Sequence, residues 1–212
     1  YKKVYYSSLA TYPSPVNSVM NYVTSSTPAP DHEFMFHGAT ALDGLADTYD
    51  SSITVTNNGA TLSANGAVFD GVNDYLSLTP WQFGGESITV EAYVKYNTFV
   101  SSGRIFDFSD GLGDDNVFLC NHDATSAAKW RMYDGINVVG YQLVDNVFET
   151  ATWVHIVAIV DGTTMKIYKN GVLADTESNG QEPPSLTRVQ HWIGRSPWSN
   201  HSYFDGTIAY LR

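Results

Sequence analysis

Apolar and polar residues alternate with period two along most of the chain, and no long stretch repeats at helical spacing. The clearest strand runs from Ser87 to Asn97, with Ile88, Val90, Ala92 and Val94 on one side and Thr89, Glu91, Tyr93 and Lys95 on the other. Such a strand gives one face to a core and the other to solvent. Thr152 to Val160 is apolar on both sides, which predicts a central strand and makes His155 a structural histidine. Asx-Gly turns punctuate the run: Asp161-Gly162 and Asn170-Gly171 separate Thr152 to Val160, Met165 to Lys169 and Val172 to Ala174, an antiparallel meander.

Earlier strands are read at Glu33 to His37, Ile53 to Thr56, Ala67 to Gly71, Tyr75 to Leu78, Arg104 to Phe108, Val117 to Cys120, Lys129 to Tyr133 and Val138 to Val144. Asn58-Gly59 reads as a two-residue hairpin turn, and Gly71 to Asp74 as the link pairing its two flanking strands. Val189 to Ile193 and Thr207 to Leu211 close the chain. With no crossover helix in sight, the fold class is all-β, a two-sheet antiparallel sandwich.

Length and composition fit one such domain. The 14% aromatic content and 17 glycines among 212 residues suit strands and tight turns. Residues 1–30 differ: they are rich in Tyr, Ser, Thr and Pro, hold no carboxylate, and read as an extension or linker with a short strand at Lys3 to Tyr6. Residues 31–212 form the domain proper.

The net charge of −11 is unevenly placed, since no Lys or Arg lies between Val4 and Val94 while nine carboxylates do. That balance argues against a nucleic-acid partner, which would demand phosphate neutralisation. Cys120, the single cysteine, sits in an apolar run and reads as a buried thiol. No apolar run is long enough for a membrane span. The start at Tyr1 reads as that of a processed or excised fragment. Asn200-His201-Ser202 makes Asn200 a glycosylation acceptor.

Several motifs occur in an order that resembles laminin-G-like domains of the concanavalin A-like lectin/glucanase superfamily. They are Phe69-Asp70-Gly71-Val72-Asn73-Asp74-Tyr75-Leu76, Ile88-Thr89-Val90-Glu91-Ala92-Tyr93-Val94-Lys95, Trp153-Val154-His155-Ile156-Val157-Ala158, Lys166-Ile167-Tyr168-Lys169-Asn170-Gly171, and Ile193-Gly194-Arg195 with Phe204-Asp205-Gly206-Thr207-Ile208. The resemblance implies a jelly-roll sandwich whose first and last strands neighbour each other in one sheet, and an extracellular or cell-surface setting. At Tyr93 relatives commonly show tryptophan.

Superfamily members that hydrolyse glucans resemble one another in a strand of alternating carboxylates, and retaining chemistry needs two carboxyl groups roughly 5 Å apart. No such arrangement occurs here. Glu86 and Glu91 are five residues apart and face opposite ways, and Glu91 is expected to pair with Lys95 on its own face. Nor is there a nucleophile triad or zinc spacing. The chain is therefore read as no enzyme.

Two acid-rich regions qualify as calcium sites: Asp43, Asp47 and Asp50 with Asp70 or Asp74, and the loop with Asp107, Asp110, Asp114, Asp115 and Asn116. The alternative is that these acids cap backbone amides in turns. A sugar site needs flat rings beside planar polar groups. Trp130, Tyr133 and Asp134 form one candidate, and Arg195, Trp198, Asn200, His201 and Tyr203 the other; Trp192, inside a strand, is read as core. The leading expectation is a recognition module for a glycan or glycoprotein, with calcium as candidate cofactor. Its rival is an assembly module packed against neighbouring domains or copies of itself.

Overall fold

The structure, a computed structural model, describes residues 30–212; the extension and its strand at Lys3 to Tyr6 lie outside the described residues. Among these, seventeen strands form and no helix: β1 (Phe34–Met35), β2 (Val55–Asn58), β3 (Thr61–Ser63), β4 (Gly66–Asp70), β5 (Tyr75–Leu78), β6 (Gln82–Phe83), β7 (Ile88–Tyr96), β8 (Arg104–Ser109), β9 (Val117–Asn121), β10 (Ala128–Asp134), β11 (Asn137–Val144), β12 (Trp153–Asp161), β13 (Thr164–Lys169), β14 (Val172–Glu177), β15 (Leu186–Thr187), β16 (Gln190–Ile193) and β17 (Asp205–Leu211).

Two antiparallel sheets carry the fold. The eight-stranded sheet runs β14-β13-β12-β7-β17-β4-β3, with β1 also paired to β17, and the seven-stranded sheet runs β11-β10-β9-β8-β16-β5-β2. Pairing of Phe34 with Leu211 joins the first described strand to the last. The meander β12-β13-β14 forms as expected, in register Asp161 to Thr164 and Lys169 to Val172.

Two turns do something other than expected. Asn58-Gly59 joins β2 to β3, and Gly71 to Asp74 joins β4 to β5, but in each case the strands lie in different sheets. Both segments carry the chain across the sandwich. The local signal for a sharp reversal was genuine; what it lacked was knowledge of the strand pairing, which is non-local. The hairpin of this region is β3–β4, which closes at Ser63 and Gly66.

Between the sheets lies one apolar core, fed by alternate residues of each strand: Ala67 and Phe69, Leu76 and Leu78, Ala92 and Val94, Phe106 and Phe108, Val117 and Leu119, Trp130 and Met132, Ile156 and Ala158. Trp130 is fully buried there. It cannot meet a ligand, a correction to its reading as a sugar contact, because Ala128, Trp130 and Met132 form the apolar parity of β10. Trp192 is the opposite correction: His191 and Ile193 turn inward, so Trp192 faces out and is half-buried.

Gly66 shows how close the backbones come. Its φ is +131°, and an added Cβ would lie 2.3 Å from the Ile208 carbonyl oxygen and 2.8 Å from Ala209 Cα. Only backbone stands in the way, so nothing cheap can yield. Gly66→Ala is expected to cost about 2 kcal/mol or more, read as a lower urea midpoint at unchanged slope.

His191 is buried in an aromatic box, its ring stacked on Phe108 at 4.4 Å with Trp81 4.3 Å away, and neither nitrogen has a partner. Burial, then the charges of Arg188 and His32, hold its pKa down to about 3. The unfolded chain, with an ordinary histidine near 6.5, binds the proton first, so this group withdraws stability as pH falls from about 6.5 to about 3. His191→Phe should flatten that limb of a stability–pH profile by on the order of 3 kcal/mol. An unchanged acid limb would count against it.

Candidate functional site

Because each strand spends one face on the core, the seven-stranded sheet has an outer face built from the other residues. Strand pairing sets these in rows. Arg104, Cys120, Lys129 and Leu143 lie side by side across β8 to β11, and Ser77, Trp192, Asp107, Phe118, Arg131 and Tyr141 across β5 to β11. The segment between β16 and β17, residues 194–204, packs back over this face.

At the centre a polar cluster is sealed from water. Arg104 Nε donates to Asp107 Oδ2 at 2.8 Å, Asn116 Nδ2 donates to Asp107 Oδ1 at 2.7 Å, and Arg104 Nη1 donates to Ser102 O and lies 3.1 Å from Cys120 Sγ. Arg104, Asp107 and Cys120 are fully buried. Burial raises the Asp107 carboxyl to about 6 against the opposing pull of Arg104. Arg104 Nη2 can only donate, so His201 Nδ1, 3.2 Å away, is an acceptor. Burial, Arg104 and Lys129 hold His201 down to about 4, which keeps it neutral. Trp198 roofs the cluster, 6.0 Å from Phe118, 6.2 Å from Tyr133 and 5.5 Å from His201.

Beside this roof, towards β5, lies an open cluster. Trp192 and Tyr75 meet edge to face at 6.1 Å, Tyr203 stands 6.3 Å from Tyr75, and the Arg195 guanidinium lies 4.2 Å from the Trp192 ring and 4.6 Å from that of Tyr75. All four are half-buried. The arrangement offers flat ring faces beside a planar donor, the chemistry that binds a sugar by its C–H face and its hydroxyls.

Of the residues named from sequence, Arg195 and Tyr203 are brought together here. Trp198 and His201 turn onto the buried cluster and meet Tyr133 from the other candidate group. Asn200 is exposed at the tip of the segment, and Asp134 is exposed at the β10–β11 turn, apart from both. Tyr75 and Trp192 were missed, although parity marked them: Tyr75 and Ser77 alternate with Leu76 and Leu78, and Gln190 and Trp192 with His191 and Ile193.

The proposed calcium ligands do not assemble. Among the described residues no three His, Cys, Asp or Glu side chains converge as a metal site. Asp107 and Asn116 hold Arg104 instead, and a guanidinium 2.8 Å from the carboxylate repels a cation. Asp47 accepts from the amides of Glu33, Tyr49 and Asp50; Asp50 from Ser52; Asp43 from Asn57; and Asp70 from Val72, Asn73 and Asp74. Asp74 accepts from Asp70, Asp110 from Val189 and Asp115 from Gly135, while Asp114 is exposed. These acids cap turns, accepting hydrogen bonds from backbone amides.

The outer face of the eight-stranded sheet is closed upon itself. Glu91 Oε1 lies 2.6 Å from His155 Nε2 and accepts from Tyr210 Oη at 3.0 Å and Arg212 Nη2 at 3.1 Å. Burial works to raise the Glu91 carboxyl, but His155, Arg212 and Tyr210 outweigh it and hold it at about 2. His155 is thus partnered, as expected of a structural histidine. The expected pairing of Glu91 with Lys95 does not form; Lys95 Nζ lies over the Trp153 ring at 5.5 Å. The network attracts Glu91 more strongly because it offers three donors at once.

A sequence profile of the concanavalin A-like lectin/glucanases superfamily matches residues 70–212. No curated protein sequence matches the chain. Among solved structures, domain 4 of AbnA, an extracellular GH43 arabinanase from Geobacillus stearothermophilus, in complex with arabinotriose, aligns with a TM-score of 0.57 at 18% identity over 79% of this chain and 85% of that one. The CBM40 of the Ruminococcus gnavus IT-sialidase bound to alpha2,3 sialyllactose aligns with a TM-score of 0.51 at 12% identity, over 59% and 74%. Domains LG4-5 of the mouse laminin alpha1 chain align with a TM-score of 0.54 at 13% identity, over 68% and 39%. At these identities the likeness is one of fold.

The buried pair under Trp198 makes its own prediction. Arg104→Met strands the Asp107 carboxylate and should cost about 3–5 kcal/mol, whereas adding Asp107→Leu should recover at least half of the loss. A double-mutant cycle by chemical denaturation measures this coupling; simple additivity would contradict it.

Proposed function

Since the chain belongs to the concanavalin A-like lectin/glucanase superfamily, we propose that it is a non-catalytic, extracellular carbohydrate-binding module whose ligand lies on the outer face of the seven-stranded sheet. The observation that carries this reading is the open cluster of Trp192, Tyr75, Tyr203 and Arg195 on a face that the core does not need. Half-buried rings cost little further ordering on binding, because packing has already fixed their rotamers. Related folds in complex with arabinotriose and sialyllactose agree with a glycan as partner. The reading needs no metal and no proton transfer. The carboxylates of both acid-rich regions and of Glu91 cap turns or hold cations, which supports binding without hydrolysis.

One observation favours a second reading, assembly with a neighbouring domain or another copy. The edge strands β11 and β14 expose apolar side chains, Val138 and Leu143 on the first and Val172 and Leu173 on the second, with Ile136 at the nearby turn. Exposed apolar edges are ordinarily blunted. Light scattering across a concentration series separates the two, since a monomer throughout would remove support for self-assembly.

A glycan array followed by calorimetric titration of the strongest hit tests the leading reading. Trp192→Ala should weaken that binding about tenfold or more, equivalent to about 1.4 kcal/mol. Trp153→Ala, on the other sheet's outer face, should leave it unchanged. Binding to no glycan on the array would overturn the proposal.

A further inference from the structure

Three of the chain's eleven basic residues, Arg104, Lys129 and Arg131, meet on one patch of the outer face. Lys129 and Arg131 lie on the same side of β10, two residues apart, so their Cα atoms are separated by about 7 Å. Phe118, in the row of Arg131, has its ring 3.8 Å from the Arg104 guanidinium and 6.0 Å from Lys129 Nζ in the next row. Among the described residues Asp107 is the carboxylate that forms an ion pair with this patch, and it is committed to Arg104; Asp123 attracts Lys129 from beyond ion-pair distance.

Lys129 is 93% buried by its 7% exposure, yet its ammonium makes one hydrogen bond, 3.3 Å to the Ser102 hydroxyl. Arg131 has no ion pair among the described residues; its guanidinium lies 4.9 Å from the Tyr133 ring and 5.5 Å from the Tyr141 ring, and its Nε is buried without a hydrogen-bond partner. Two neighbouring, partly desolvated cations without an ion-paired carboxylate cost stability. That is a strange expense in a molecule of net charge −11, where carboxylates are plentiful.

We propose, resting on the glycan reading above, that this patch is a second subsite which takes the carboxylate of an acidic sugar. The terminal edge of the Arg131 guanidinium, Nη1 and Nη2, carries no hydrogen bond within the described residues and can grip a carboxylate end-on with two hydrogen bonds. The Lys129 ammonium adds a point charge in the next row. Tyr141, half-buried, offers a ring for the pyranose, and exposed Leu143 and Val138 form an apolar margin. An acidic peptide fits less well, because the Tyr141 ring beside the guanidinium suits the flat face of a pyranose; the Trp192 and Tyr75 rings lie on the same sheet face beyond the segment that carries Trp198. The shared chemistry is a pyranose carboxylate, which a uronic acid within a polysaccharide or a terminal sialic acid would each supply.

The test uses the full chain on an array holding uronate-bearing, sialylated and matched neutral oligosaccharides, which also separates the two sources. The strongest acidic glycan is then titrated against its carboxylate methyl ester. Wild type should prefer the free acid about tenfold or more, with the preference shrinking as salt rises. Arg131→Gln should erase the preference while leaving affinity for the ester unchanged, and Arg131→Lys should retain part of it. Thermal stability of Arg131→Gln should stay close to that of wild type, because relief of the repulsion on Lys129 offsets the loss of the contacts with the Tyr133 and Tyr141 rings. Equal binding of acid and ester, a preference that survives Arg131→Gln, or equally tight binding of a glutamate-rich peptide would overturn the inference. If neutral glycans bind through Trp192 and no acid is preferred, this inference alone falls; if no glycan binds at all, the carbohydrate reading falls with it.

Discussion

Apolar contact between the facing sides of two sheets imposes parity on every strand that takes part. In β10, burying Ala128, Trp130 and Met132 leaves Lys129, Arg131 and Tyr133 no choice but the outer face. In β16, burying His191 and Ile193 pushes Gln190 and Trp192 outward. The strand ladder then aligns these leftover residues across neighbours, so that side chains far apart in sequence, such as Ser77, Trp192, Asp107 and Arg131, share a row. The outer face is therefore a by-product of the core's demands.

Parity is a local property, which is why most strands and their faces can be read from the chain. It put β7 and the central β12 in place, and Asx-Gly turns added the β12–β14 meander. It also identified Trp130 as core and Trp192 as surface, and the error at both positions came from weighing the residue type above the alternation around it. Pairing is not local. Asn58-Gly59 has the chemistry of a hairpin turn, yet β2 and β3 belong to different sheets, because the partner of β2 is β5 and that of β3 is β4. The same limit hid the buried cluster: Arg104, Asp107 and His201 meet through a segment that closes over the sheet, and nothing in their spacing announces it.

Electrostatics divides the acidic residues from the basic ones by what the backbone can supply. Turns expose bundles of N–H donors, and Asp47 and Asp70 each gather three of them. Acid clusters in sequence thus resolve into caps, each carboxylate accepting hydrogen bonds from the backbone amides of its turn. Cations have no such recourse on a sheet face, where backbone carbonyls point along the sheet to the neighbouring strands. They need a side-chain anion, an aromatic ring or a ligand.

The two outer faces answer that need differently. On the eight-stranded sheet, Glu91 collects His155, Tyr210 and Arg212 around a single carboxylate, and the charges gathered there are spent internally, Lys95 on the Trp153 ring apart. On the seven-stranded sheet, Asp107 satisfies Arg104 alone, while Lys129, Arg131 and Arg195 rest on aromatic rings. A ring face holds a cation without quenching its capacity to donate hydrogen bonds. Folding alone would be better served by one more carboxylate among these residues, and the chain has twenty-two to choose from. Leaving the donors open on one face and closing them on the other is what a recognition surface requires: positions fixed by packing, with hydrogen-bonding capacity kept for what comes from outside.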